Sequence, residues 1–278
     1  MIMLEAIFLG IVQGLTEFLP ISSSAHIRIL GEFLPSAQDP GATFTAIMQI
    51  GTEIAVLIYF RSDIARLIIS SLRWIKRSDE ISDQSRREAR LAGLILVGSI
   101  PIFLLGFFGQ EYIRENFRSL YLIAFTLIFF GLLLGLLDHY GKKIKDLDSL
   151  KIGDGLAFGI AQSLALIPGV SRSGATIAMG RALGYKREAA LRYSFLLAIP
   201  AVLGSGTFEL MNSISKPLNA FSMGETLVAT ITAFVIGYLV ISWLMKYVQS
   251  KSFMPFVIYR VLLGTLLLIF LSTGAITA

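Results

Sequence analysis

Apolar residues dominate the chain in runs separated by short polar stretches. Six runs are long enough to cross a bilayer, at about residues 42–60, 91–109, 119–137, 188–206, 224–247 and 254–273; a spanning helix needs roughly 20 apolar residues. Two further runs, 4–19 and 155–167, are too short. Each ends in a polar break containing Pro and Ser, and a second helical stretch follows at about 24–34 and 173–184. Short apolar pieces broken at corresponding places in two halves predict re-entrant hairpins.

The two breaks are related. "GIVQGLTEFLPISSSAH" from Gly10 and "GIAQSLALIPGVSRSGA" from Gly159 match at an offset of 149, pairing Gly10, Gln13, Ser22 and Ser24 with Gly159, Gln162, Ser171 and Ser173. Three spans follow each copy. Three is odd, so the second copy is expected to be inverted relative to the first. The predicted fold is an all-α polytopic membrane protein with an inverted-topology repeat: six transmembrane helices plus two re-entrant helix-loop-helix hairpins. It forms one membrane domain, with repeat 1 at about 1–140 and repeat 2 at about 153–278.

Composition supports this reading. Hydrophobic residues make up 55% of the 278 and charged residues 15%, against roughly 25% charged in soluble proteins. Mean hydropathy is +0.73. The start carries Glu5 and lacks a basic region, so no cleavable leader is expected. The absence of cysteine excludes disulfides and thiol catalysis, and two histidines, His26 and His139, exclude a His-rich metal site. The net charge of +5 reflects loop placement, not a nucleic-acid partner. Segments 61–90, 138–153, 185–187 and 246–251 hold sixteen Lys/Arg, whereas 31–41, 110–118 and 207–223 hold three (Arg114, Arg118 and Lys216). The basic loops are therefore expected to face the cytoplasm, with both termini outside. If 4–19 spans fully, the N-terminus lies inside instead.

In an inverted repeat the two breaks meet near the bilayer midplane. The first brings Glu17, Ser22, Ser23, Ser24 and His26; the second brings Ser171, Arg172, Ser173 and Thr176, and Gln13 shares a helix face with Glu17. Helix N-termini offer free N–H groups to an anion, and a guanidinium fork fits phosphate oxygens. These parts describe a phosphate or pyrophosphate pocket. Serines alone also serve as interhelical hydrogen-bond partners, but an acid, an imidazole and an arginine inside a membrane are costly. Glu53 either lines the pocket or pairs with an arginine. Arg181, Arg192 and Arg260 are expected to snorkel at helix ends. His139, and the mixed-charge run 77–90, are expected in water.

"QGLTEFLPISSSAH" (13–26) and "PGVSRSGAT" (168–176) resemble the two signature motifs of the bacterial undecaprenyl-pyrophosphate phosphatases of the bacitracin-resistance type. The resemblance extends through "ALRYSFLLAIPAVLG" (190–204) and "PFVIYRVLLG" (255–264). It implies removal of the terminal phosphate from undecaprenyl pyrophosphate, recycling the lipid carrier of cell-wall synthesis, at a site opening to the outer side of the bacterial cytoplasmic membrane. It also implies a divalent cation, Mg2+ or Ca2+, with Glu17 helping to hold it on the pyrophosphate. Two positions depart from the family pattern. Gln13 stands where some members have a second glutamate, which puts a two-carboxylate metal site in doubt, and Ala25 stands where Gly is common. The expected partners are the polyprenyl pyrophosphate lipid and the membrane; a homo-oligomer is left open.

On this reading Glu17, Ser23, His26 and Arg172 are catalytic, and Gln13, Ser22, Ser24, Ser171, Ser173 and Thr176 bind substrate. Ser23 is the expected nucleophile with His26, three residues along, as its base. Glu17 orients His26 or holds the cation, and Arg172 neutralises the phosphate. The competing assignment makes His26 the nucleophile or the activator of water. Transport of polyprenyl phosphate is an alternative, because inverted repeats with re-entrant hairpins are a transporter architecture. An acid-phosphatase-type lipid phosphatase would need a second catalytic histidine, and His139 lies far from any such motif.

Overall fold

A computed structural model describes residues 2–34, 41–76, 81–117, 119–215 and 221–276. Arg118 and Lys216 of the sparsely charged loops lie outside the described residues. The helices are α1 (Ile2–Thr16), α2 (Ser23–Gly31), α3 (Ala42–Tyr59), α4 (Arg61–Ile75), α5 (Asp83–Asn116), α6 (Leu120–Tyr140), α7 (Ile152–Ser163), α8 (Arg172–Ala182), α9 (Arg187–Ser215), α10 (Met223–Ser250) and α11 (Met254–Ser272). Among the described residues there is no strand beyond one isolated bridge, Lys145 with Tyr185.

The protein is a multi-pass membrane protein. Among the described residues five helices are long and apolar enough to cross a bilayer: α5, α6, α9, α10 and α11. The sixth expected span qualifies only as a bent pair, α3 with α4, turned by 74° at Phe60. The segment 61–90, expected as a basic loop, is thus largely helix. In α4, Ile68, Ile69, Leu72, Trp74 and Ile75 are exposed alongside Arg66 and Arg73, the composition of a helix lying in the interface.

Contacts fix which ends of the helices lie together. Arg90 donates to the Leu150 carbonyl at 2.7 Å, Arg192 pairs with Asp63 at 2.7 Å, Lys186 with Asp146 at 2.7 Å, and Asp138 accepts from the Phe253 backbone. The four basic segments therefore gather at one end of the bundle, as the alternation of charge requires. The second hairpin, α7–α8, enters and leaves at that end, since Tyr185 after α8 donates to Asp154 at the start of α7 at 2.7 Å. The first hairpin, α1–α2, returns to the opposite end. Ala6 of α1 and Leu34 beyond α2 pack in one cluster with Phe44 and Phe221, which open α3 and precede α10.

The swap extends to packing. Helix α1 lies against α10 of the second repeat, and α7 against α5 of the first. The matched glycines allow both approaches: a Cβ on Gly10 would sit 2.5 Å from the Ala229 carbonyl, and one on Gly159 only 2.1 Å from that of Gly98. Small residues at such crossings let backbones meet closely. Between the repeats, α6 and α11 pair antiparallel: Asp138 meets Phe253, Gly131 meets Arg260, and Gly264 meets Ala124 and Ile128.

Two of the three arginines expected at interfaces do not snorkel. Arg181 is fully buried, bonded to Asp138 at 2.9 Å and to the Gly141 and Tyr185 carbonyls. Arg260 is also fully buried and, among the described residues, pairs with no carboxylate. It donates to five backbone carbonyls: Pro20, Thr126, Leu127, Gly169 and Val170, at 2.9–3.2 Å. Carbonyls left free where the hairpins break must find donors inside the membrane, and one guanidinium supplies both tips. Arg192 stays partly exposed beside Asp63, and His139 is exposed, as expected.

Candidate active site

Both breaks are built alike. Ser22 (φ 74°) and Ser171 (φ 70°) are the non-glycine residues found with positive φ among those described. Each caps the helix that follows, accepting from the backbone N–H three residues on: Ala25 at 3.4 Å and Gly174 at 3.1 Å. Each also lies 3.2 Å from a second serine hydroxyl, Ser24 or Ser173. Holding a serine in this region costs about 1–3 kcal/mol, a cost found at functional sites. The turn aims the first N–H groups of α2 and α8 at the space between the hairpins.

The tips are joined there. Ser173 Oγ donates to the Leu19 carbonyl at 3.1 Å, and Arg172 Nη2 to Glu17 Oε1 at 2.8 Å. Glu17 Oε2 accepts from Gln13 Nε2 at 2.7 Å and from Ser23 Oγ at 2.6 Å. Glu17 is thus the hub of the site. A cavity of about 500 Å³ opens beside it. Glu17, Ser22, Ser23, Ser24, Ser171 and Arg172 form its polar floor, and Gln49 of α3 joins them. Its apolar walls come from α5 after Pro101 and from α9 after Pro200, including Phe103, Phe107, Val202 and Phe208. A proline within a helix removes one backbone hydrogen bond and bends or weakens the turn before it.

Four expected site residues do not line this cavity; Gln13 is fully buried behind Glu17, to which it donates. Thr176 bonds the Arg172 carbonyl at 2.8 Å and meets Ser194 of α9. Ser173 stitches the tips. His26 turns away: its Nδ1 lies 2.7 Å from the Ser22 carbonyl and its Nε2 2.6 Å from the Tyr259 hydroxyl. A carbonyl only accepts, so Nδ1 carries the proton and Nε2 accepts from Tyr259. Both ring nitrogens are used, and Ser23 has Glu17, not His26, as its hydrogen-bond partner. Helical spacing placed His26 beside Ser23, but the hydroxyl of the first residue of α2 points back across the break to α1. Gln49 and Tyr259 were not singled out from the sequence; Gln49 is a polar residue within an apolar run, whereas nothing local marks Tyr259.

The family model described as Bacitracin resistance protein BacA matches residues 6–266. The chain belongs to this family. An undecaprenyl-diphosphatase of Micrococcus luteus is 56% identical over 277 residues, covering 99% of both chains. Undecaprenyl-diphosphatase 2 of Agrobacterium fabrum is 55% identical, covering 99% of this chain and 98% of that protein. An undecaprenyl-diphosphatase of Nocardioides sp. is 52% identical with the same coverage.

The donors suit a hard cation held partly by substrate. Among the described residues no cluster of three or more His, Cys, Asp or Glu forms a cage. Glu17 is present, however, and two buried oxygens, Gln13 Oε1 and Glu53 Oε1, have no hydrogen-bond partner. Magnesium binds through one or two carboxylates plus phosphate oxygens, so the residues fit it.

Proposed function

We propose that this chain hydrolyses undecaprenyl pyrophosphate to undecaprenyl phosphate and inorganic phosphate, at the outer side of the bacterial cytoplasmic membrane. The observation that carries the reading is Arg172. One of its nitrogens binds Glu17 while Nη1, buried at the cavity floor, has no partner. A buried, unpaired guanidinium N–H between two helix N-termini is an anion site. The apolar walls suit the prenyl tail, most of which lies in lipid. The cavity is lined by the halves of α5 and α9 far from the gathered basic segments, so with those segments in the cytoplasm it faces outward.

In this mechanism Arg172 and the N–H groups of α2 and α8 hold the terminal phosphate and stabilise charge shifting to the leaving oxygen. Ser23 Oγ attacks the terminal phosphorus, its proton passes to Glu17, and undecaprenyl phosphate leaves. Water then attacks the phosphoserine, releasing inorganic phosphate and restoring Ser23. Gln13 and Arg172 orient the carboxylate for both steps. A divalent cation, when bound, would neutralise phosphate charge, with Glu17 among its ligands. Nothing in the relatives' names favours transport.

The test is phosphate release from undecaprenyl pyrophosphate by the detergent-purified protein, where no compartments exist. The wild type should turn over, and Arg172→Ala should lose about 10²–10³-fold or more while remaining folded. Lipid binding without release by either protein would end this reading.

A further inference from the structure

Glu53 is unexplained by the site as drawn. It lies in α3, one turn beyond Gln49 on the same face, and Gln49 lines the cavity. It is 1% exposed, and its Oε1 has no hydrogen-bond partner. It lies within electrostatic reach of Glu17 and Arg172. A bare buried carboxyl is costly unless something compensates it. Of the cations, Arg172 lies within reach; its Nη2 is bound to Glu17, and its Nη1 makes no hydrogen bond to Glu53. Among the described residues no side chain is hydrogen-bonded to the Glu53 carboxyl. A second orphan oxygen, Gln13 Oε1, sits on α1 beside Glu17. At position 13 the chain has a neutral amide, so the first hairpin brings a single carboxylate, Glu17, to the cavity floor.

We infer that Glu53 is the second carboxylate of the site and, with Glu17, ligates the divalent cation that accompanies the pyrophosphate. Helix α3 supplies the charge that Gln13 does not, and Gln13 Oε1 completes a set of three hard oxygen donors. Substrate phosphate oxygens fill the remaining positions. This inference rests on the pyrophosphatase reading, but it is tested by cation binding and not by turnover.

The experiment titrates Mn2+ alone into the full chain in detergent and follows the free-ion electron paramagnetic resonance signal. Wild type should show one site. Glu53→Gln, nearly isosteric, should weaken it about tenfold or more. Adding Gln13→Glu to that variant should restore most of the affinity by returning the second carboxylate on α1. Should Glu53→Gln fail to fold, Glu53→Asp keeps the charge but shortens its reach, and should also weaken Mn2+. Affinity unchanged by either substitution at position 53, or no site in the wild type, overturns the inference. Phosphate release from the same samples separates the two failures. Release with Mn2+ affinity indifferent to position 53 removes only the cation role, whereas no release from wild type removes the pyrophosphatase reading.

Discussion

At the scale of single residues, the carboxylate of Glu17 organises the site. It holds Ser23, Gln13 and Arg172 at 2.6–2.8 Å, so its removal should act on nucleophile, orientation and anion binding together. Glu17→Gln and Ser23→Ala should each lower turnover by about 10²–10⁴-fold. His26→Gln should cost far less and should not add to Tyr259→Phe, because the two share one hydrogen bond; kcat for these two single variants and the double variant checks this. A fall for His26→Gln as deep as for Glu17→Gln would return the base to His26. The identity of the polar cluster was legible in the sequence because ionisable groups in an apolar chain have few bland explanations. Its wiring was not. The φ of 74° at Ser22 sets where the Ser23 hydroxyl points, and spacing along an ideal helix carries no information about that turn.

At the scale of elements, α7 shows how close packing and open surface differ along one helix. Gly159 meets the Gly98 carbonyl, whereas a Cβ on Gly153 would meet nothing within 4 Å. Gly159→Leu should lower the unfolding midpoint in detergent, by overpacking worth about 1–3 kcal/mol. Gly153→Ala should be neutral or stabilising by about 0.5–1 kcal/mol. Equal effects would mean that α7 does not sit on α5 as described. The hairpins could be read from sequence because two short apolar runs recurred at a fixed offset. Helix α4 could not: its charges mimic a loop, although Ile68, Ile69, Leu72, Trp74 and Ile75 are exposed along it.

At the scale of the whole molecule, charge counting and contacts agree on which loops share an end, and labelling can assign the ends to compartments. In a chain without cysteine, Lys143→Cys, exposed among the gathered basic segments, should react with an impermeant thiol reagent only after lysis. Gln38→Cys, outside the described residues, should react in intact cells; the reverse pattern would invert the protein. Alternation was legible because three spans per repeat is an odd number. The role of Arg260 was not, because its five acceptors are backbone carbonyls that leave no trace in side-chain pattern. That clamp also has a consequence for biogenesis. Arg260 lies on α11, which leaves the ribosome after α1 to α10, yet it ties Pro20 of the first hairpin to Gly169 and Val170 of the second. Both tips must therefore wait for α11 to insert, and a nascent chain stalled before α11 holds all the chemistry of the site without the means to assemble it.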